Sequence, residues 1–208
     1  ETTAMNRYQL PEKYVIGLTG NICAGKSEVC AVLVELGAHH VDADVVARQT
    51  LVRGTSEFVR VVAEFGEGIL SKGGDIDRGR LGEIVFAEVA ALSRLESIVL
   101  PAIRHEIKRR VSVAEQPVVV LEAIKLLDSG LSDDCDAIWV VASAPEERLK
   151  RLIERDGLDE ATALQRVNMQ AGQEEKLKLA DVVIDNNGRL QPMFVQVWRA
   201  WGKIMPPE

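Results

Sequence analysis

Cysteine is scarce in this chain. Three residues, Cys23, Cys30 and Cys135, make an odd count without the paired spacing of a metal site. That pattern argues against a disulfide scaffold and for a reducing, cytoplasmic setting. Long apolar runs are missing too. None approaches the roughly 20 residues needed to cross a bilayer, so no membrane partner is expected. No signal-peptide pattern opens the sequence. Glu1 to Lys13 are polar and without period, and they are expected to form a disordered lead-in outside the fold. Positive charge is in deficit, with 25 Lys and Arg against 32 Asp and Glu and a formal charge of −7. That balance argues against a broad basic face and against nucleic acid as a partner.

What is present is ordinary for a folded α/β domain with insertions: 208 residues, 47% apolar and 27% charged. One stretch organises the rest. Tyr14 to Thr19 is a short apolar strand, and Gly20, Gly25, Lys26 and Ser27 then match the phosphate-loop pattern G-x-x-x-x-G-K-[ST]. Glycines at 20 and 25 let backbone N–H groups face an anion. The helix N-terminus that follows favours phosphate, Lys26 adds a cation, and the Ser27 hydroxyl can ligate Mg²⁺.

Strands and helices alternate along the chain. Ser27 to Leu36 reads as a helix, Ala38 to Val41 as a strand leading into Asp42 and Asp44, and residues 45–115 as a large helical insertion. In that insertion Asp77 caps one helix, and Pro101 is placed in the first turn of another. Strands are predicted at Pro117 to Glu122, Ala137 to Ala142 and Asp181 to Asp185. Ser143 and Glu146 read as a capping box, and Asp159 as the cap of a further helix. Arg148, Arg151 and Arg155 share a helix face at i, i+3 and i+7; Arg148 reads as plain surface, and the other two flank a lid over about 150–172 with Arg166. Leu190, Met193, Phe194, Val197, Trp198 and Trp201 form a stripe read as core. The alternation means a mostly parallel, three-layer α/β sheet, with ligands at the carboxyl ends of its strands. The loop, Asp42, Asp44 and Glu122 converge on that edge. Asp42 and Asp44 suit either the site or, more commonly for Asp in such a place, the cap of the helix that follows. Glu122 suits either Mg²⁺ through water or a strand-terminal charge reaching solvent, whereas His39, His40 and His105 read as structural.

The ordered set of motifs resembles the dephospho-CoA kinase family. The residues concerned are Gly17-Leu18-Thr19-Gly20 into Gly25-Lys26-Ser27, Val41-Asp42-Ala43-Asp44 through Arg48, Phe65-Gly66, Ile76-Asp77-Arg78 and Pro101-Ala102-Ile103-Arg104. Arg151 through Arg155-Asp156-Gly157 and Ala180-Asp181 through Asn186-Asn187-Gly188 complete it. The resemblance implies a P-loop kinase domain over 14–208, with a five-stranded parallel core, a helical CoA-binding region and a lid. It implies ATP-dependent phosphorylation of the 3′-hydroxyl of dephospho-CoA, the last step of CoA synthesis. On it Asp44 matches the base, Lys26 the phosphate lysine and Arg155 the lid arginine. Gly20, Asn21, Ile22, Cys23, Ala24, Gly25, Lys26, Ser27 and Glu28 would hold ATP. Thr19, Asp42, Arg48, Arg78 and Arg104 would serve the acceptor, and Ser27 and Glu122 the metal. Cys23 stands where the family often has glycine, Leu100 where it often has histidine, and Glu122-Ala123-Ile124 departs from its usual third-strand exit.

Two other readings compete. Another small-molecule kinase of the same fold is the nearer one, although a large insertion favours a bulky acceptor. A GTPase-like switch would need an Asn-Lys-x-Asp segment, which the sequence lacks. The thiol of Cys23, beside loop N–H groups and Lys26, is predicted to favour the thiolate.

Overall fold

The computed structural model describes residues 13–170, 172–188 and 190–205. The lead-in of residues 1–12 lies outside the described residues. Five strands form one sheet: β1 (Tyr14–Gly20), β2 (His39–Asp42), β3 (Val118–Glu122), β4 (Ala137–Ala142) and β5 (Val182–Asp185), in the order β2-β3-β1-β4-β5. β1 runs parallel to both β3 and β4, and β4 runs parallel to β5. The central strands read as unbroken apolar runs because both faces are covered. Ile16 and Leu18 face one side with Val118, Val120, Trp139 and Val141; Val15, Val119, Leu121 and Val140 are fully buried on the other.

The first side is covered by α1 (Lys26–Glu35) and α9 (Leu190–Ile204), through Val29, Leu33, Met193 and Val197. On the second, Leu126 and Cys135 press on Gly17 so closely that a Cβ there would lie 2.8 Å and 2.7 Å from them. The stripe on α9 is narrower than predicted. Met193, Val197 and Ala200 are buried, but Phe194 is 39% and Trp198 65% exposed. A helix lying on a sheet buries only a limited arc, and the two aromatics fall beyond it.

Residues Asp42–Val113 form a second compact unit. Its helices are α2 (Ala43–Thr50), α3 (Ser56–Phe65), α4 (Arg78–Ala87) and α5 (Val89–Val113). Asp77 caps α4 as predicted, accepting from the N–H groups of Gly79 and Arg80 at 3.0 and 3.2 Å. Pro101 is not in a first turn but inside the 25-residue α5. An internal proline costs a helix about 3 kcal/mol. Buried Ile98, Val99, Ile103, Ile107 and Val111 run past it on one face and outweigh that cost. The proline ring itself points to solvent.

The remaining helices belong with the sheet: α6 (Pro145–Asp156), α7 (Glu160–Asn168) and α8 (Gln173–Lys178), the last not foreseen. Asp159 caps α7, its carboxylate accepting from the Thr162 N–H at 3.0 Å. The capping box at Ser143 does not form, because α6 starts one residue later with Ala144 as N-cap and no side-chain cap bond. The Ser143 hydroxyl accepts from Arg151 instead, at 3.3 Å.

Candidate active site

The loop between β1 and α1 is held by partners distant in sequence. Gly25 is the N-cap of α1 at φ 102°, a conformation that a residue with a Cβ rarely adopts. The Asn186 amide packs into the space where a Gly25 side chain would be, and donates to the Ala24 carbonyl at 2.9 Å. Arg151 Nη2 donates to the Asn186 carbonyl at 2.8 Å, and its Nη1 to the Cys23 carbonyl at 3.3 Å. On the other flank the Ile22 N–H donates to Gln170 Oε1 at 2.6 Å, and Lys176 Nζ donates to Asn21 Oδ1 at 2.8 Å. Four chain segments thus fix one turn. Gly20 has its own reason: a Cβ there would sit 2.7 Å from the Val141 carbonyl oxygen of β4.

Beside the loop lies a cleft of roughly 690 Å³, lined by Cys23, Gly25, Lys26, Ser27, Arg151 and Arg155 among others. Lys26 is buried, with Nζ 3.1 Å from the Gly20 carbonyl, while Ser27 and Glu28 are exposed in the first turn of α1. Arg155 is mostly exposed and pairs with Asp156 at 2.7 Å, which raises its pKa further. Arg148 is not surface but 6% exposed, and its Nε and Nη1 have no hydrogen-bond partner among the described residues. Burial lowers its pKa. Lys176 shifts down for the same first reason, with the charge of Lys26 adding to it. Partly or fully burying the positive charges of Lys26, Arg148 and Lys176 near one loop is costly, and an anion relieves that cost. The donor set, the buried unpaired guanidinium nitrogens and the glycine turn therefore fit a polyphosphate.

Cys23 differs from its prediction. Its thiol is pushed up, not down, because burial outweighs the attraction of Arg155, Lys26 and Arg151. Its backbone is also left-handed at φ 57°, which explains why glycine suits the position. At the end of β3, Glu122 is held below the usual carboxylate range by its hydrogen bond from His40, against the effect of burial, with Cys30 and Lys26 assisting. His40 therefore has a partner that the sequence did not indicate. Thr19 is fully buried and its hydroxyl donates to the Ile124 carbonyl at 3.2 Å.

The other sequence candidates lie in the second unit. Asp42 caps α2, its Oδ1 accepting from the Val45 N–H at 2.9 Å, and Asp44 sits half-buried in the first turn. Arg78 reaches the Arg48 carbonyl at 3.4 Å, so these two come together. Arg104 is half-buried on α5. That unit has a cleft of its own, roughly 540 Å³, whose polar lining includes Arg60 and Arg110, which were not singled out from the sequence, and His105, which was read there as structural. The signal missed at the loop was equally faint: Gln170, Lys176 and Asn186 are single polar residues whose partners lie more than a hundred positions away.

A parallel α/β sheet with a glycine loop, a buried lysine and a converging set of arginines defines a P-loop phosphotransferase. The family model for dephospho-CoA kinase matches residues 14–192. A dephospho-CoA kinase of Geobacter sulfurreducens is 43% identical over 195 residues, covering 92% of this chain and 99% of its own. Among solved structures, a Thermus thermophilus protein superposes with a TM-score of 0.82 at 32% identity, covering 94% of this chain and all of that one. The dephospho-CoA kinase of Campylobacter jejuni gives 0.67 at 28% identity, over 92% and 97% of the two chains. This chain belongs to the dephospho-CoA kinase family. Its reaction is the phosphorylation of dephospho-CoA, and the alternative of a different small-molecule kinase is not favoured. Among the described residues no helix is long and apolar enough to cross a membrane.

Proposed function

We propose that the chain transfers the γ-phosphoryl group of Mg-ATP to the 3′-hydroxyl of dephospho-CoA in the cytoplasm. None of its three cysteines is in a disulfide, which agrees with that compartment. The observation that most supports the reading is the pinned loop: Lys26 buried at the start of α1, with Arg151 and Arg155 along one side of the cleft. Phosphoryl transfer needs positioning and charge stabilisation more than covalent help. Gly20, Asn21, Ile22, Cys23, Ala24, Gly25 and Glu28 shape the turn around the donor phosphates, and Lys26 binds their non-bridging oxygens. Mg²⁺ at the Ser27 hydroxyl and, through water, at Glu122 would neutralise charge on the β- and γ-phosphates. Asp44 takes the proton of the acceptor hydroxyl. Arg155 exchanges Asp156 for the charge that develops on the moving group. Asp42, Arg48, Arg78 and Arg104 serve the acceptor, in the helical unit that we assign to CoA binding. Thr19 supports that side by fixing the strand exit through Ile124. The lid is the α6–α7 region.

Turnover with ATP and dephospho-CoA, with the position of the new phosphate read by NMR, tests this. Lys26→Ala is expected to lose nearly all turnover while staying folded. Asp44→Asn should lower kcat by about 10²-fold or more with ATP affinity kept, as for removal of a general base. Turnover on a nucleoside monophosphate but not on dephospho-CoA would overturn the proposal.

A further inference from the structure

Three side chains of unlike chemistry meet at one oxygen beside the phosphate loop. Cys30 lies one turn along α1 from Lys26, His40 is on β2 and Glu122 ends β3. Glu122 Oε2 accepts from Cys30 Sγ at 3.3 Å and lies 3.1 Å from His40 Nε2. The three ligand atoms are all within 4.8 Å of one another. A thiol, an imidazole and a carboxylate are the wrong set for Mg²⁺, which takes oxygens in an octahedron, and the right set for Zn²⁺ or Co²⁺. Metal–ligand bonds of about 2.0–2.3 Å at tetrahedral angles put ligand atoms roughly 3.3–3.7 Å apart. The two short separations here are already close to that, so a metal replaces two hydrogen bonds with little movement. The donors also differ in access. Cys30 is 3% exposed and anchored by its helix, whereas His40 is exposed on its strand and can turn to admit an ion.

We propose that Cys30, His40 and Glu122 form a site for a borderline divalent transition metal, with Zn²⁺ as the fitting ion and water as fourth ligand, and that its occupation slows the kinase. Metal binding stands on the geometry alone. Inhibition rests on the role proposed above for Glu122, since a carboxylate oxygen bound to zinc is lost to the Mg²⁺ arrangement. Binding displaces the Cys30 proton to solvent, and His40 Nε2 gives up the hydrogen it shares with Glu122, either to Nδ1 as the other tautomer or, from an imidazolium, to solvent.

The test uses the intact protein and Co²⁺, whose bond to a thiolate gives a near-ultraviolet charge-transfer band. The band should appear with one equivalent of Co²⁺ in excess Mg²⁺ and vanish when Zn²⁺ is added. It should be absent in Cys30→Ser. Losing even an outer-shell partner typically costs about 10–100-fold in metal affinity, so His40→Gln should weaken binding at least as much. Both variants are checked for an unchanged melting transition. No band in the native protein, or a band that persists in Cys30→Ser, would overturn the site. In turnover at saturating Mg-ATP, Zn²⁺ should inhibit the native enzyme and inhibit His40→Gln only at about tenfold or higher concentration. Zn²⁺ that binds without slowing turnover would overturn the inhibition, and with it the catalytic role of Glu122, but not the metal site.

Discussion

Asn186 fills the space that a side chain on Gly25 would need. The close approach lets its amide reach the Ala24 carbonyl, and Arg151 in turn holds the Asn186 carbonyl. Gly25 therefore answers to two constraints, a left-handed φ of 102° and a neighbouring amide. Gly25→Ala is expected to abolish ATP binding, measured by calorimetry, and to lower the melting temperature. Asn186→Ala leaves the Ala24 carbonyl without its donor and should cost about 1–3 kcal/mol of stability. In the double variant the steric conflict is gone but the φ strain stays, so partial recovery of stability relative to Gly25→Ala is the expected result. Full additivity of the two losses would show that the amide and the glycine do not share space.

The loop's other left-handed residue gives a cleaner measure of backbone strain, because it carries a Cβ. Cys23 has φ 57°, and its side chain packs at the edge of the Leu152–Ala163–Val167 cluster. Comparing Cys23→Gly with Cys23→Ala removes most of the packing difference and leaves the backbone term. Glycine should be more stable by about 1 kcal/mol, the usual penalty for a Cβ in that region. Equal denaturation midpoints would mean that the loop relaxes out of the left-handed region. In alkylation Cys23 should still react before Cys30 and Cys135, which are buried, but slowly, since its thiol is shifted up.

The loop was legible because everything it needs is local: an apolar strand, two glycines, a lysine and a helix within fourteen positions, from Tyr14 to Ser27. Caps at Asp77 and Asp159 were legible for the same reason. What failed was decided by partners far along the chain. Ser143 looked like a cap from its neighbours, but Arg151 and Gln173 claim its hydroxyl and its N–H. Pro101 looked like a helix start until the burial of a whole helix face overrode it. Arg148 has the spacing of a surface arginine, and only the packing around α6 reveals that it is buried. The trio at Glu122 could not be read at all, since Cys30, His40 and Glu122 share no motif and meet only because β2 lies next to β3.

On α5, Glu106 accepts from Arg109 Nε at 2.8 Å and from Arg110 Nε at 2.9 Å. These bonds hold its pKa down at about 2. A depressed carboxylate pKa in the folded state adds stability above the unfolded value and loses it as pH falls through the folded one. The advantage of the native protein over Glu106→Gln should thus be full above about pH 4.5 and shrink to nothing toward pH 2. Both arginines are partly solvated, so added salt should reduce it. Urea denaturation across that range measures the difference. A gap that does not change with pH would mean that the arginines contribute packing and not charge.

Arg148 sets stability against binding in a way that one substitution can separate. It is buried on the first turns of α6, two of its nitrogens have no hydrogen-bond partner among the described residues, and its charge is felt at Cys23 and Lys176. A buried cation without compensation destabilises the protein that holds it. Arg148→Met keeps the length and apolar stem while removing the charge. Without nucleotide, this variant should melt at a higher temperature than the native protein. With saturating Mg-ATP the order should narrow or reverse, because the native protein gains more from an anion beside the loop. Calorimetry should show weaker ATP binding by about tenfold, the value of one good charged hydrogen bond. A lower melting temperature for the variant without nucleotide would show that the guanidinium already stabilises the fold. Unchanged ATP affinity together with a higher melting temperature would make Arg148 a buried liability with no part in phosphate binding.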